Sequence, residues 1–217
     1  MRSCSRVTAT CLAAVTAAGC ATRVSGGPAA PSAAATAMAV DLAQTRPLGA
    51  GPAFRPGALG NRAVVDGAAV GALRCGTVSS GAYGAHVELF ARDRGVAVPA
   101  GIGIAPPQRR QGATVTGGRC TYPVRTSDPT GVVEVTRRRG SGAPTVGQLF
   151  QIWGQPLSTR RLAGFRAVGR PGVVAFVDGR RWRGDPRGIP LRRHAQIVLE
   201  LGALVAPHPA YLFPPGL

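Results

Sequence analysis

The chain has 217 residues, of which 45% are hydrophobic, enough for one globular domain and a tail. All 26 basic residues are arginine, against 9 acids and a formal charge of +17, so lysine chemistry is excluded: no Walker-type phosphate loop, no Schiff base, no Ser-Lys dyad. Aromatics are only 5% while Gly and Pro number 31 and 19, which predicts turns and short strands rather than a helical bundle.

At the N-terminus, Arg2 and Arg6 precede a mostly small, apolar run, Val7–Thr16, and small residues lead into Cys20. This is the layout of an export signal, and the run falls far short of the roughly 20 apolar residues a membrane span needs. The ending Ala17-Ala18-Gly19-Cys20 resembles the bacterial lipobox, whose cysteine is diacylated as the peptide is cut just before it. It implies a lipoprotein-type signal over 1–19, lipidation at Cys20, and a membrane anchor on the extracytoplasmic side of the bacterial envelope. Ala17 departs from the leucine usual at that place, and the alternative is an ordinary secretory signal cut near Ala18. Residues 20–61, rich in Ala, Gly, Pro, Ser and Thr and poor in charge, read as the lipidated cysteine and a flexible tether. The globular domain is expected from Arg62 to Leu217. Cys4 and Cys11 leave with the signal, so Cys75 and Cys120 remain as the pair for one structural disulfide in an oxidising compartment.

Within the domain, Val87, Leu89 and Ala91 alternate with His86, Glu88 and Phe90, and Asp93-Arg94-Gly95 leads to Val96–Val98, which predicts a hairpin. Gly101-x-Gly103 is followed by Pro106 where a dinucleotide fingerprint needs its third glycine, so Pro99–Pro107 is assigned to a loop. Strands are predicted at Arg119–Tyr122 and Val132–Thr136, with a polar loop, Arg125–Gly131, between them. Arg137-Arg138-Arg139-Gly140-Ser141-Gly142 is a solvated connection. Thr145–Trp153 is the principal helix: Thr145 is its N-cap, Val146, Leu149, Phe150 and Trp153 share one face, and Gly154 stops it. Val173–Val177, Asp178-Gly179 and Arg180–Arg183 form a second hairpin, and His194–Leu201 is a half-buried strand. The apolar tail, 206–217, is expected to be pinned across the domain. The sum is a β-rich α+β fold with about six short strands and one principal helix.

Several stretches together resemble an uncharacterised family of small bacterial envelope domains: Cys75, His86-Val-Glu-Leu-Phe90, Pro99-Ala-Gly-Ile-Gly-Ile104, Cys120 to Val135, Leu149-Phe-Gln-Ile-Trp-Gly-Gln-Pro-Leu-Ser158, Gly184-Asp-Pro-Arg-Gly-Ile-Pro190, His194 and Phe213-Pro-Pro-Gly-Leu217. The resemblance covers about Cys75 to the C-terminus and implies fold and extent but no assigned reaction. Its typical members look histidine-rich, in an arrangement suited to binding metal. This chain is histidine-depleted, with Ala82, Gly84, Arg125 and Ser127 at those places, so the metal site the resemblance leaves is His86 with Asp128 and Glu134.

No catalytic constellation stands out: Ser79-Ser80-Gly81 and Ser127 lie in no Gly-x-Ser-x-Gly elbow, and no cofactor is implied. The reading is a lipid-anchored extracytoplasmic binding or interaction module. Arg137, Arg138, Arg139, Arg180, Arg181 and Arg183 are its candidate contacts to anionic lipid headgroups or acidic envelope polymers. Nucleic acid is not expected as a partner, because the basic clusters lack interleaved stacking aromatics. The alternatives are a metal-binding envelope protein and a hydrolase of unknown substrate. An Ala-, Gly-, Arg- and Pro-rich chain without lysine also fits a G+C-rich coding bias, with no role for the arginines.

Overall fold

The alternation around His86 extends in both directions, and in the computed structural model it forms the strand β1 (Ala82–Ala91), at the centre of the main sheet. The structure describes residues 52–77, 81–137, 142–202 and 209–217. The signal, Cys20, most of the tether, Arg138, Arg139 and the start of the tail, 206–208, lie outside the described residues.

β1 pairs in parallel with β12 (Gln196–Leu201), Leu89 opposite Leu199, and antiparallel with β6 (Val132–Thr136), Ala85 opposite Val133. Beyond them lie β10 (Val173–Val177) and β11 (Arg180–Trp182) on one side and β5 (Val124–Arg125) on the other, giving the order β11-β10-β12-β1-β6-β5. The short β2 (Arg94–Gly95) also pairs with β1. Because strand side chains alternate, Tyr83, Ala85, Val87, Leu89 and Ala91 share one face with Ile197, Leu199, Leu201, Val133 and Val135, and that face is the core.

The helix α2 (Val146–Trp153) joins this core through Val146, Leu149, Phe150, Ile152 and Trp153, all at most 1% exposed. Its start is a capping box. The Thr145 hydroxyl accepts from Gln148 N at 3.3 Å, and the Gln148 carboxamide oxygen accepts from Thr145 N at 2.9 Å. Gly154 ends it at φ 75°, the left-handed cap that glycine adopts without strain. Asp185 caps a short 3-10 helix, Pro186–Gly188, accepting from Arg187 N at 2.9 Å, and the following Ile189 carbonyl accepts from Val146 N at 2.8 Å.

Among the described residues the fold is strand-rich, with twelve strands rather than about six. The N-terminal boundary is corrected, because residues 52–61 belong to the folded body and not to the tether. Phe54 bridges Val96 and packs on Phe165 at 4.5 Å, Trp153 Nε1 donates to the Gly57 carbonyl at 2.7 Å, and Gly60 N donates to the Trp153 carbonyl at 3.1 Å. Asn61 then caps α1 (Arg62–Asp66). Arg119–Tyr122 is not a strand: Thr121 makes only isolated bridges, to Gly76 and Ile104, beside the Cys75–Cys120 disulfide. The first hairpin has its turn at Arg92 and Asp93 with φ 54° and 60° and a second strand of only two residues, after which Val96 N donates to the Leu89 carbonyl at 2.7 Å and Val96 also bridges Phe54. Two small sheets were not anticipated: β3 (Arg109–Gln111) with β4 (Thr114–Gly117), and β7 (Leu157–Ser158), β8 (Arg161–Leu162) and β9 (Phe165–Arg166). The β10–β11 hairpin and β6 fall where the pattern put them.

Candidate functional site

The sheet face opposite the core carries Gly84, His86 and Glu88 of β1, Gln196 of β12 and Glu134 of β6. Over it lies the C-terminal tail, 209–217. Gln196 holds the tail by its backbone, donating to the Tyr211 carbonyl at 2.9 Å and accepting from Tyr211 N at 3.1 Å. The Tyr211 ring then stacks on His86 with centroids 4.3 Å apart, and Phe213 meets Tyr211 edge-on at 5.1 Å. Phe213 stacks on His194 at 4.6 Å, and His194 Nε2 donates to the Leu217 carbonyl at 2.6 Å. Gly84 lies beneath Phe213. A Cβ there would stand 2.9 Å from the ring, so any side chain at 84 collides with the seated tail. The expectation that the tail is pinned across the domain holds for 209–217.

His86 is 5% exposed, and its Nε2 donates to the Thr130 carbonyl at 3.0 Å. Burial pushes its pKa below the usual imidazole value, and Glu88, with a carboxylate oxygen 3.8 Å from Nδ1, opposes that shift without reversing it. Asp128 accepts from Thr130 N at 3.0 Å and from the Thr130 hydroxyl, an Asx-type turn. Glu134 faces Arg125 across β5 and β6 and accepts from its guanidinium and from the Ser127 hydroxyl.

The three candidate metal ligands are thus engaged in different ways. His86 and Asp128 meet only through Thr130, and Glu134 is neutralised by Arg125. Among the described residues no three His, Cys, Asp or Glu side chains are grouped so as to hold a metal ion. Of the three, Glu134 is the one whose carboxylate is ion-paired with an arginine, Arg125. A recess of about 350 Å³ opens elsewhere, between Leu73, Pro123, Ala143 and Pro144. Its polar lining is Arg74, Thr136 and Gln148, which offers no nucleophile with an adjacent base.

The described candidate contact arginines, 137, 180, 181 and 183, lie on or just after two separate strands of the sheet. Arg180 and Arg181 are exposed on the edge strand β11 and Arg183 follows it, while Arg137 follows β6, with β10, β12 and β1 between the two strands. A second basic region was missed. Arg161 of β8 stands directly opposite Arg166 of β9, both exposed, while their neighbours Leu162 and Leu157 turn inward. Arg160 donates to the Gly169 carbonyl at 2.8 Å and the Ala167 carbonyl at 3.3 Å, and Arg170 is exposed beyond. The signal was present in the composition, since no carboxylate occurs from Val135 to Val177. No protein-family description, curated protein or solved structure matches the chain.

Proposed function

We propose that this chain is a lipid-anchored binding module of the bacterial envelope, without a reaction of its own, that holds an anionic partner through its arginines. One observation carries the reading. The exposed arginines 160, 161, 166, 170, 180, 181 and 183 have no carboxylate within ion-pair distance among the described residues, unlike Arg62, Arg125 and Arg187. A protein of charge +17 that leaves these seven cations unneutralised attracts polyanions by field, without a shaped pocket. α2 closing the core face of the sheet supports assigning the body to the α+β class.

Two outcomes are expected. Cys20→Ser moves the protein from the membrane fraction to the soluble extracytoplasmic fraction when membranes are washed at about 1 M salt, where arginine–headgroup contacts are screened, and unchanged fractionation there defeats the anchor. The same variant binds phosphatidylglycerol vesicles or an acidic polymer such as teichoic acid at low salt, and releases them as the Debye length contracts from about 10 Å at 0.1 M to 3 Å at 1 M. Binding that ignores salt, or no binding at all, defeats the arginine reading.

A further inference from the structure

The small sheet β7–β9 and the loop after it, 167–171, carry a combination that a merely solvated surface does not explain. Like charges directly opposite one another on paired strands destabilise the pairing, yet Arg161 and Arg166 are so placed, with Ser158 beside Arg161 as the next cross-strand partner. Next to this pair, Val168 is 93% exposed, the most exposed large hydrophobic side chain among the described residues. It is held out rather than left loose, because the Arg160 guanidinium binds the carbonyls on both sides of it, Ala167 and Gly169. Arg170 follows, and the neighbouring β1–β2 turn adds Arg92, whose guanidinium lies 5.8 Å from the Phe165 ring centre, with one carboxylate, Asp93.

We infer that this end of the domain is a membrane-docking surface: Val168 enters the interfacial layer of an anionic bilayer while Arg161, Arg166 and Arg170 bind its phosphate headgroups. An apolar tip ringed by cations fits that partner and no soluble one as well. A bilayer surface offers closely spaced phosphates to relieve the Arg161–Arg166 repulsion and an apolar layer just beneath them to receive the valine. The inference rests on the binding-module reading and narrows it to one partner and one face. It also gives a use to the anchor, because a tethered domain meets the bilayer at high effective concentration, so a contact of modest intrinsic affinity suffices.

The test uses the full chain carrying Cys20→Ser, so that no acyl chain contributes, with vesicles of phosphatidylglycerol or phosphatidylcholine. Expected are binding to phosphatidylglycerol only, and an affinity loss on the order of 100-fold in R161Q/R166Q/R170Q, at about fivefold per arginine. R109Q/R110Q/R192Q, at exposed arginines outside the proposed contact set, serves as the control of equal charge and binds at near-parent affinity. A further variant, V168W, reports depth, because its added tryptophan emission should be quenched by brominated phosphatidylglycerol beyond the parent's quenching. Equal losses in the two triple variants, or a V168W signal that bromine does not quench, overturns the docking surface and leaves the module reading standing. Binding to teichoic acid without vesicle binding does the same. Absence of salt-sensitive binding to either probe overturns both.

Discussion

His86 is the residue at which sequence and structure differ most instructively. Alternation placed it on a strand, but only the folded chain brings Tyr211, 125 positions later, onto its ring, with Thr130 accepting from Nε2. That surrounding favours neutral imidazole: burial lowers the pKa first and most, against weaker raising effects from Glu88, the Thr130 carbonyl and Gln196. A histidine whose folded pKa lies below its unfolded value of about 6.5 leaves the unfolded chain binding more protons as pH falls. Its stabilising contribution is therefore complete above that value and is lost as pH falls through the folded pKa. The thermal midpoint should decline between pH 7.5 and 5 by more in the parent than in His86→Gln, which keeps a donor for Thr130 and does not titrate. Parallel declines in the two proteins exclude His86 as the source. Gly84 is the neighbouring position on the same face, and its reason, room for the Phe213 ring, depends on the tail's path and no local pattern reveals it.

Elements were legible in proportion to how much of their chemistry is local. α2 combines an N-cap, a one-face apolar spacing and a terminal glycine within ten residues, and it forms with those features. Thr145→Ala removes the hydroxyl that accepts from Gln148 N and leaves that helix-start donor to water. The expected cost is about 1 kcal/mol of global stability, read from the denaturant midpoint, while Thr145→Ser should recover most of it. A smaller cost in Thr145→Ala than in a substitution at exposed Gln151 would show the box to be idle. The β10–β11 hairpin was equally local, with Asp178-Gly179 at its turn and φ 51° and 73°. β7, β8 and β9 are two residues each, too short for a period to register, and are held by Leu157 and Leu162 meeting the core rather than by their own propensity. Arg119–Tyr122 failed the other way. Its strand-like residues are used singly, Cys120 in the disulfide and Tyr122 as a buried side chain whose hydroxyl donates to the Ala63 and Ala68 carbonyls.

At the scale of the whole molecule, the decisive contacts join distant stretches. The parallel pairing of β1 with β12 brings together strands separated by more than half of the described chain, and nothing in either strand specifies its partner. The N-terminal boundary was misplaced for the same reason: residues 52–61 look like tether by composition, and it is their contacts with Trp153, Val96 and Phe165 that show them to be part of the body. The disulfide is the one long-range link that cysteine counting did identify, and it binds this early region to the rest. Cys75 precedes Gly76, which exchanges hydrogen bonds with Thr121, and Cys120 precedes Thr121, so the covalent link and the bridge reinforce one register between two segments that lack a strand of their own. With a sequence separation of 45, chain-entropy reasoning assigns the link about 4 kcal/mol, a large part of the 5–15 kcal/mol by which domains are ordinarily stable. Cys75→Ser with Cys120→Ser should therefore lower the unfolding free energy by about that amount. Reduction of the parent should reproduce the loss, and reduction of the double variant should add nothing. If the parent is insensitive to reductant while the double variant is destabilised, the two cysteines contribute by packing, and the early segment is held by Trp153, Tyr122 and the Gly76–Thr121 bridge without a covalent link.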